Sequence, residues 1–401
     1  MRKNFYLRIA FTVLLFIPVT FIACKKTSKD VVFASTDTLT QNIYTIDSTA
    51  SPSKGIILAT PYDTSIQANI VSSGLLLVMD QSGKVLLKQT TPGIAYCLNR
   101  WVINGKTRYT WLVNDVAAFR PPGIVEGAGY AIIADSNLNQ LQRIDFTPYG
   151  QGLFPASQGL DIHEFILISD SDYITLSYAQ RFVSNIPARL SPAANVSVIS
   201  PIIEEVRNGV VVWNWDATND TTFYATSVEY NNFSDTVTAQ DYIHMNSMYI
   251  DPRDNNLICS MRHQDQVMKL NRQTGAVMWR LGGSNSDFPL SSDQVFLRQH
   301  HATLTDSNQT LLLFDDGEQT LRPYSRILEF HLDEVNKVVT SFKFFNIPEP
   351  FTDFTGSVQK IGDDYFIGGG TARYLLDINY NTGQKVIEFN GNKASYRAYK
   401  Y

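Results

Sequence analysis

The chain has 401 residues, of which 44% are hydrophobic and 18% are charged. This composition allows a large buried core and excludes wholesale disorder. The formal net charge is −5, and no basic run occurs in the body of the chain, which argues against nucleic-acid binding through phosphate neutralisation. The aromatic content, with 20 Tyr and 23 Phe, favours strands over helices.

The N-terminus carries the first strong signal. Arg2 and Lys3 precede an apolar run, residues 5–23, which ends directly before Cys24. A short positive region, a short apolar core and a small residue before the cut are typical of a secretory signal. The cysteine after that small residue resembles a bacterial lipobox, with Phe21 where Leu is usual. We therefore expect a signal peptide over 1–23, lipidation of Cys24, a polar tether over 24–36 and a location in the cell envelope, periplasmic or on the outer membrane; the alternative is a retained membrane anchor.

From residue 37 onward, short apolar runs alternate with turn residues, which predicts an all-β domain over 37–401. One pattern recurs four times: a strand, a turn built on Asp or Asn and Gly, and a second strand. The Gly is expected in the turn because it supplies the positive φ that a tight hairpin needs. The copies lie at residues 76–86, 206–213, 268–279 and 373–386.

Repeated hairpins over this length predict a β-propeller, which we expect to have six blades and a small N-terminal β segment over 37–90. A β-sandwich followed by a smaller propeller is the rival architecture. Thr274-Gly275 followed by Trp279 also resembles the docking repeat of quinoprotein dehydrogenases, but no quinone-contacting residues accompany it, so no cofactor is predicted.

Cys97 and Cys259 remain after Cys24 is assigned to the lipid. Their spacing fits no metal or redox motif, although the two could pair in an oxidising compartment. Two buried free thiols are the favoured interpretation.

The six histidines suggest where chemistry could occur. His163, His244 and His300 each lie at or near the start of an apolar run. In a propeller, equivalent strand ends from successive blades converge on the mouth of the channel. Arg262 lies about one hairpin beyond His244 and could return to the same mouth. The sequence therefore predicts that these four side chains surround one cavity.

Such a cluster has two uses. Three histidines can bind a transition metal, or histidines beside an arginine can form an anion site in which one imidazole attacks. Arg262 argues against the metal, because a fixed cation repels one. Each histidine taken singly could also be a structural residue.

A set of short motifs then resembles the bacterial aryl-sulfate sulfotransferase family. The resemblance is dense from about 161 to 330 and rests on the order and spacing of these pieces: Asp161-x-His163-Glu164, His244-x-Asn246-Ser247, Asp251-x-x-x-Asn255-x-Leu257, Ser260-x-Arg262, Val267-x-x-Leu270, Thr274-Gly275, Trp279-x-Leu281-Gly282-Gly283, Gln299-His300 and Phe314-Asp315-x-Gly317.

The resemblance implies a six-bladed propeller that moves a sulfuryl group from an aryl sulfate to a phenol without the nucleotide donor 3′-phosphoadenosine-5′-phosphosulfate (PAPS). It implies that His300 carries the sulfuryl group, with His163, His244 and Arg262 around it and Asn246 nearby. We expect Arg262 and His244 to hold the sulfonate oxygens, and His163 to move the proton of the phenol, although these two histidines could exchange roles.

Two departures accompany the resemblance. His301 follows His300, and His263 follows Arg262; both extra histidines are expected to be structural or surface residues. An aryl sulfate hydrolase and a non-catalytic propeller that binds glycans or proteins are the rival functions. The expected partners are small aryl sulfates and phenols, and the membrane through the lipid; no metal is predicted, and a homodimer is left open.

Overall fold

The computed structural model describes residues 32–34, 43–63, 73–114, 129–147, 159–305 and 309–401. The predicted signal peptide and Cys24 lie outside these ranges. Within them the secondary structure is almost entirely β, apart from a short helix, α1 (Thr222–Thr226), and several single 3₁₀ turns. None of the helices in the described ranges is long and apolar enough to cross a membrane.

The strands follow one another along the whole described chain. In order they are β1 (Val32–Ala34), β2 (Tyr44–Ser48), β3 (Ile56–Ala59), β4 (Gly74–Asp80), β5 (Val85–Thr91), β6 (Ala95–Ile103), β7 (Lys106–Asn114), β8 (Gly129–Ala134), β9 (Gln140–Ile144), β10 (Phe165–Leu167), β11 (Asp172–Val183), β12 (Val196–Arg207), β13 (Val210–Asp216), β14 (Met245–Ile250), β15 (Leu257–Met261), β16 (Gln266–Leu270), β17 (Val277–Gly282), β18 (His300–Thr305), β19 (Thr310–Asp315), β20 (Arg326–Asp333), β21 (Val338–Asn346), β22 (Ser357–Ile361), β23 (Asp364–Gly368), β24 (Tyr374–Asn379), β25 (Lys385–Gly391) and β26 (Ala398–Lys400).

The described strands form six antiparallel sheets, which confirms the six-bladed propeller. Four blades are consecutive meanders: β6–β9, β10–β13, β14–β17 and β18–β21. The fifth contains β22–β25 with β2 added at its outer edge, and the sixth has the order β26-β3-β4-β5-β1. The first strands of neighbouring blades contact one another, as β14 does β18 and β22 does β26, so these strands line the central channel.

The two ends of the chain close the ring. Strand β26 pairs with β3, with Tyr399 opposite Leu58, so the C-terminus supplies the innermost strand of the sixth blade. Strand β2 pairs with β25, with Ile46 opposite Phe389. Residues 37–90, where a small β segment was expected, thus contribute strands to two blades. Closure of this kind protects the sheet edges of the first and last blades.

The predicted hairpin turns join the third and fourth strands of their blades. In each of three, the side chain at the start of the turn accepts two backbone N–H groups through Oδ1: Asp80, Asn271 and Asn379. The fourth is the two-residue turn Asn208-Gly209, with both residues at positive φ. The turn glycines Gly83, Gly275 and Gly383 also have positive φ, so the reason given for the repeat is confirmed.

Two further copies of this turn were not found in the sequence. Asp135 and Asp333 each accept two backbone N–H groups in the same way, between β8 and β9 and between β20 and β21. Their left-handed positions are occupied by Leu138 and Lys337 instead of Gly. The missing glycine is the reason that the repeat was only partly visible.

Apolar side chains fill the space between neighbouring blades. One large cluster joins the blade β10–β13 to the blade β14–β17 and includes Tyr178, Phe223 and Met268, each less than 2% exposed. Cys97 and Cys259 belong to two of these interior clusters and are buried free thiols, as favoured from their spacing.

Candidate active site

Residues at the start of the innermost strands gather at one mouth of the channel. His163 precedes β10 by two positions, His244 precedes β14 directly and His300 begins β18. Thr355 and Tyr396 occupy the corresponding places before β22 and β26. The repetition of the blade explains why residues so remote in sequence share one end of the molecule.

The rings of His163 and His244 lie together, and each is held by a carboxylate of its own. Their centroids are 4.9 Å apart, with the planes nearly perpendicular. His163 Nδ1 bonds to the buried Asp161 Oδ1, which also accepts the backbone N–H of His163. His244 Nδ1 lies 2.6 Å from Asp241 Oδ2. Burial by itself raises the pKa of Asp241, but the charges of His244 and His263 hold it below the ordinary value.

Arg262 joins the same group, one hairpin after His244 as the spacing predicted. Its backbone N–H donates to the His244 carbonyl at 2.9 Å. Its Nη1 donates to Glu229 Oε2 at 2.5 Å, and its buried Nε has no hydrogen-bond partner among the described residues. An unpaired guanidinium N–H at a channel mouth is suited to an anion such as a sulfonate.

Glu229 compensates a cluster of positive groups and was missed in the sequence. It contacts Arg262, His263 Nε2 at 3.1 Å and Arg298 Nε at 3.1 Å. Although burial raises its pKa, the hydrogen bond from His263 and the charges of Arg262 and Arg298 hold the pKa well below that of an ordinary carboxyl. Glu229 lies in the long connection between β13 and β14, and nothing in its local sequence marked it.

His300 is the most deeply buried of the proposed catalytic histidines, with 1% of its surface exposed. Its Nε2 accepts the backbone N–H of Thr355 at 3.3 Å, and its Nδ1 bonds to the carbonyl of Arg298 at 3.2 Å. Burial and the positive charges of Arg262, His163, His244 and Arg397 lower the pKa of His300 well below its ordinary value. His300 is therefore neutral, and its Nε2 lone pair holds only a long hydrogen bond.

Asp316 is a second residue that sequence analysis did not single out. Its Oδ2 lies 2.8 Å from His300 Nδ1, and burial raises the pKa of this carboxyl well above the ordinary value. Asp161, Asp241 and Asp316 thus each accompany one of the three histidines. Asp161 already belongs to a motif quoted from the sequence, and Asp241 could have been found from its position three residues before His244. Asp316 follows the end of β19, the strand that pairs with the one His300 begins.

Asn246 and Gln299 fix the backbone that carries His300. Asn246 is fully buried, and its Nδ2 donates to the Gln299 carbonyl at 2.8 Å. The Gln299 side chain donates to Ser260 Oγ and to the carbonyls of Met261 and Gln266. These contacts give Asn246 a role in positioning the residue before His300.

His301 does not follow the alternation expected of a regular strand. The register of β18 shifts after His300, and His301 has a φ of 49°. Its ring bonds to Val358 and packs 5.4 Å from the ring of Tyr399. It lines a cavity of about 520 Å³ in the channel, whose walls do not include Arg262, His163 or His244. Because His301 is buried and bonded to the neighbouring blade, it is a structural residue and not a surface one.

That cavity extends along the first strands of the blades, from Glu164 and His301 to Ile168 and Thr305. Its walls are mainly apolar and aromatic and include Trp101, Ile166 and Tyr401. Glu164 lines it as well and forms a buried ion pair with Arg397 at 2.8 Å. Since Glu164 directly follows His163, this ion pair lies at the boundary between the cavity and the histidine cluster.

His263 is buried and stacks on His244, with centroids 4.7 Å apart. Together with Asp241, these two residues offer three ligand atoms within 4.8 Å of one another. Each of the three is already engaged in the hydrogen bonds of the cluster, and Arg262 and Arg298 lie beside it. The donor set suits an anion better than a metal ion.

The arrangement as a whole is a β-propeller with a histidine–arginine cluster at one mouth, and this cluster has groups that suit an anion. A neutral imidazole of low pKa can attack an electrophile, and an arginine with an unpaired N–H can hold the oxygens around it. Paired His–Asp groups can donate and accept protons.

Comparison with known proteins identifies the family to which the chain belongs. The sequence model of the family described as Arylsulfotransferase (ASST) matches residues 175–401, more than half of the chain. The chain therefore belongs to the arylsulfotransferase family, which supports an aryl sulfotransferase activity. The matched range contains Arg262, His244 and His300, and His163 lies just before it.

No curated protein matches the chain. Among solved structures, a protein of unknown function from Bacteroides caccae covers 86% of this chain and 98% of its own, with 8% identity and a TM-score of 0.49. A nidogen/laminin complex matches with 10% identity, 86% and 97% coverage and a TM-score of 0.46. A putative 6-phosphogluconolactonase from Bacteroides fragilis NCTC 9343 matches with 10% identity, 88% and 100% coverage and a TM-score of 0.42.

Proposed function

We propose that the protein is a PAPS-independent aryl-sulfate sulfotransferase that works through a sulfohistidine at His300. The observation that carries this proposal is the buried imidazole of His300, whose pKa is lowered by burial and by the charge of Arg262. The buried Nε of Arg262 has no hydrogen-bond partner among the described residues. Catalysis of sulfuryl transfer, like that of phosphoryl transfer, depends mainly on positioning of the reacting groups and on stabilisation of the charge on the oxygens of the transferred group.

In the first half-reaction, the Nε2 lone pair of His300 attacks the sulfur of the aryl sulfate. The bond between sulfur and the aryl oxygen breaks, and the electron pair leaves with the phenolate. Arg262 and His244 hold the sulfonate oxygens, and His163, kept in place by Asp161, supplies a proton to the phenolate. His163 and His244 could exchange these roles.

Attachment of the sulfuryl group at Nε2 makes the imidazole ring cationic while Nδ1 keeps its proton. Asp316 Oδ2 lies 2.8 Å from Nδ1 and faces this charge with the dipole of its carboxyl group, because burial raises the pKa of Asp316 and favours its uncharged form. This contact supports a role for Asp316 as a residue that stabilises the intermediate without touching the substrate.

In the second half-reaction, His163 takes the proton of an acceptor phenol. The phenolate oxygen attacks sulfur, the bond between sulfur and Nε2 breaks, and the electron pair returns to His300. The net result is exchange of a sulfuryl group between two phenols, with no nucleotide consumed.

We also propose that the mature chain is a lipoprotein of the cell envelope, anchored through Cys24. The support is the signal-like segment that ends in Ala23-Cys24. A location outside the cytoplasm suits a donor other than PAPS. Incorporation of radiolabelled palmitate that disappears in Cys24→Ala tests the anchor, and incorporation that persists in that variant refutes it.

The test of activity uses 4-nitrophenyl sulfate as the donor, with and without added phenol, in the presence of EDTA and without PAPS. We expect release of 4-nitrophenolate that depends on phenol, together with formation of phenyl sulfate. Release that is equally fast without phenol identifies a hydrolase, and no release with any phenol supports a binding propeller. Activity that is lost in EDTA and restored by one metal refutes the metal-free mechanism.

A further inference from the structure

Two aromatic rings stand exposed beside the proposed catalytic groups. Phe354 is 52% exposed, and its ring centroid lies 5.9 Å from the guanidinium carbon of Arg262. Tyr230 is 60% exposed, and its ring lies 5.0 Å from that of His263. Exposed aromatic rings at the rim of an otherwise polar site are typical of surfaces that bind ligands.

Phe354 is next in the chain to a residue that contacts the proposed nucleophile, His300. The next residue, Thr355, donates its N–H to His300 Nε2, and the carbonyl of Phe354 accepts a hydrogen bond from Thr371 Oγ1 at 3.1 Å. Gly356 has a φ of 107°, and a side chain there would collide with the ring of Phe314; a side chain at Gly370 would collide with Thr355. The loop is therefore held in a conformation that keeps the Phe354 ring outside the core.

Tyr230 is likewise next in the chain to a residue that contacts Arg262. It directly follows Glu229, which binds Arg262 Nη1, and it has a φ of 47°, which is uncommon for an aromatic residue. Both exposed rings are thus chain neighbours of groups that contact the proposed sulfuryl site.

We propose that Phe354 and Tyr230 form the subsite that binds the aromatic ring of donors and acceptors, with Phe354 as its principal surface. The proposal rests on the proposed function for the position of the sulfonate. With a sulfonate on Arg262, the aryl ring is one ether bond away and can pack on Phe354. A substrate without an aromatic ring lacks this contact, so the subsite selects aryl over alkyl sulfates.

Binding of sulfonates tests the subsite without any turnover, because their C–S bond is not transferred. We propose calorimetric titration of the full chain with naphthalene-2-sulfonate and with methanesulfonate. The wild type is expected to prefer the naphthyl ligand by about tenfold or more, and Phe354→Ala to lose about tenfold in affinity for that ligand alone. Phe354→Tyr keeps the ring and should restore the preference, and Tyr230→Ala should lose a smaller factor.

Phe344→Ala is the matched control. Phe344 is also an exposed phenylalanine beside an arginine, with Arg326 5.5 Å from its ring, but it lies on the outer strand β21. This variant should bind both sulfonates as the wild type does. The subsite is refuted if Phe354→Ala loses affinity equally for both ligands or keeps the naphthyl preference of the wild type. It is also refuted if the wild type binds neither sulfonate or shows no preference between them.

The same variants separate this inference from the proposed function. Binding with an aryl preference but no transfer from 4-nitrophenyl sulfate refutes the sulfotransferase and leaves the subsite standing. Transfer without an aryl preference refutes the subsite alone. In the transfer reaction, Phe354→Ala should reduce kcat/KM for 2-naphthol more than for phenol.

Discussion

His300 and His301 are neighbours in the chain but lie in different parts of the channel. His300 contacts Asp316 and Thr355 at the mouth, whereas His301 packs against Tyr399 and bonds to Val358. Local sequence could not separate them, because the bulge in β18 removes the alternation that a regular strand would impose.

We predict that His300→Ala abolishes sulfuryl transfer and that His301→Ala keeps a substantial fraction of it. The second variant should be less stable, since it loses buried packing and a hydrogen bond, so both are assayed well below their unfolding temperatures. Mass spectrometry after incubation with donor alone should find one added sulfuryl group on the peptide containing Gln299 and His300. An adduct on His301, or a fully active His300→Ala, would show that the wrong histidine was chosen.

The pH dependence of adduct formation follows from the lowered pKa of His300. The ordinary pKa of an imidazole is roughly 6.5. Because burial and nearby cations lower this pKa, His300 stays neutral further into the acid range, and the loss of its attack should come below that value. We predict that the burst of phenolate release retains its rate as the pH falls through 6.5.

Stopped-flow measurement of this burst across the pH range provides the test. Arg262→Gln removes one of the cations, so the acid midpoint should rise in that variant as its rate falls. A wild-type midpoint at or above 6.5 would contradict the assignment of this limb to His300.

At the scale of elements, most blades share the same hairpin turn between their third and fourth strands. Five of the blades begin this turn with an Asp or Asn whose Oδ1 accepts two backbone N–H groups. Local hydrogen bonding by Asp and Asn explains why these turns could be predicted. The two that were missed have Leu138 and Lys337 at positive φ, where their neighbours hold Leu and Lys in a conformation that favours Gly.

We predict that Asp333→Ala lowers the free energy of unfolding by about 1 kcal/mol, because two backbone N–H groups lose their acceptor and turn to water. Val335→Ala is the control, since Val335 lies in the same turn with 89% of its surface exposed. Urea unfolding of the two variants should separate them. Equal stability of both would mean that the carboxylate does not hold the turn.

At the scale of the whole molecule, Arg397 connects three blades. It belongs to the segment that leads into β26, it pairs with Glu164 before β10, and its Nη2 donates to the carbonyl of Asn246 in β14. Arg397 is fully buried in the closing segment of the ring. Removal of one partner of a buried ion pair leaves the other charge without compensation.

We predict that Glu164→Gln lowers the free energy of unfolding by about 3–5 kcal/mol and that the double variant Glu164→Gln/Arg397→Met loses less than the two single changes added together. Arg143→Met, which breaks the exposed pair with Asp145, should cost less than about 1 kcal/mol. Thermal or urea unfolding of the wild type, the two single variants, the double variant and Arg143→Met checks this. Additive losses would show that Glu164 and Arg397 do not stabilise the ring as a pair.

Local sequence was sufficient for the all-β class, for most of the outer turns and for the positions of His163, His244, Arg262 and His300 near strand ends, because strand periodicity and turn chemistry act over a few residues. It did not reveal Glu229, Asp316, Phe354 or Tyr230, since each acts through a partner on another blade or in a long connection. The separate depths of His300 and His301 also depend on a bulge and on contacts with other blades. Ring closure by β2 and β26 brings these distant groups together, so only the tertiary structure decides which of them share the channel mouth.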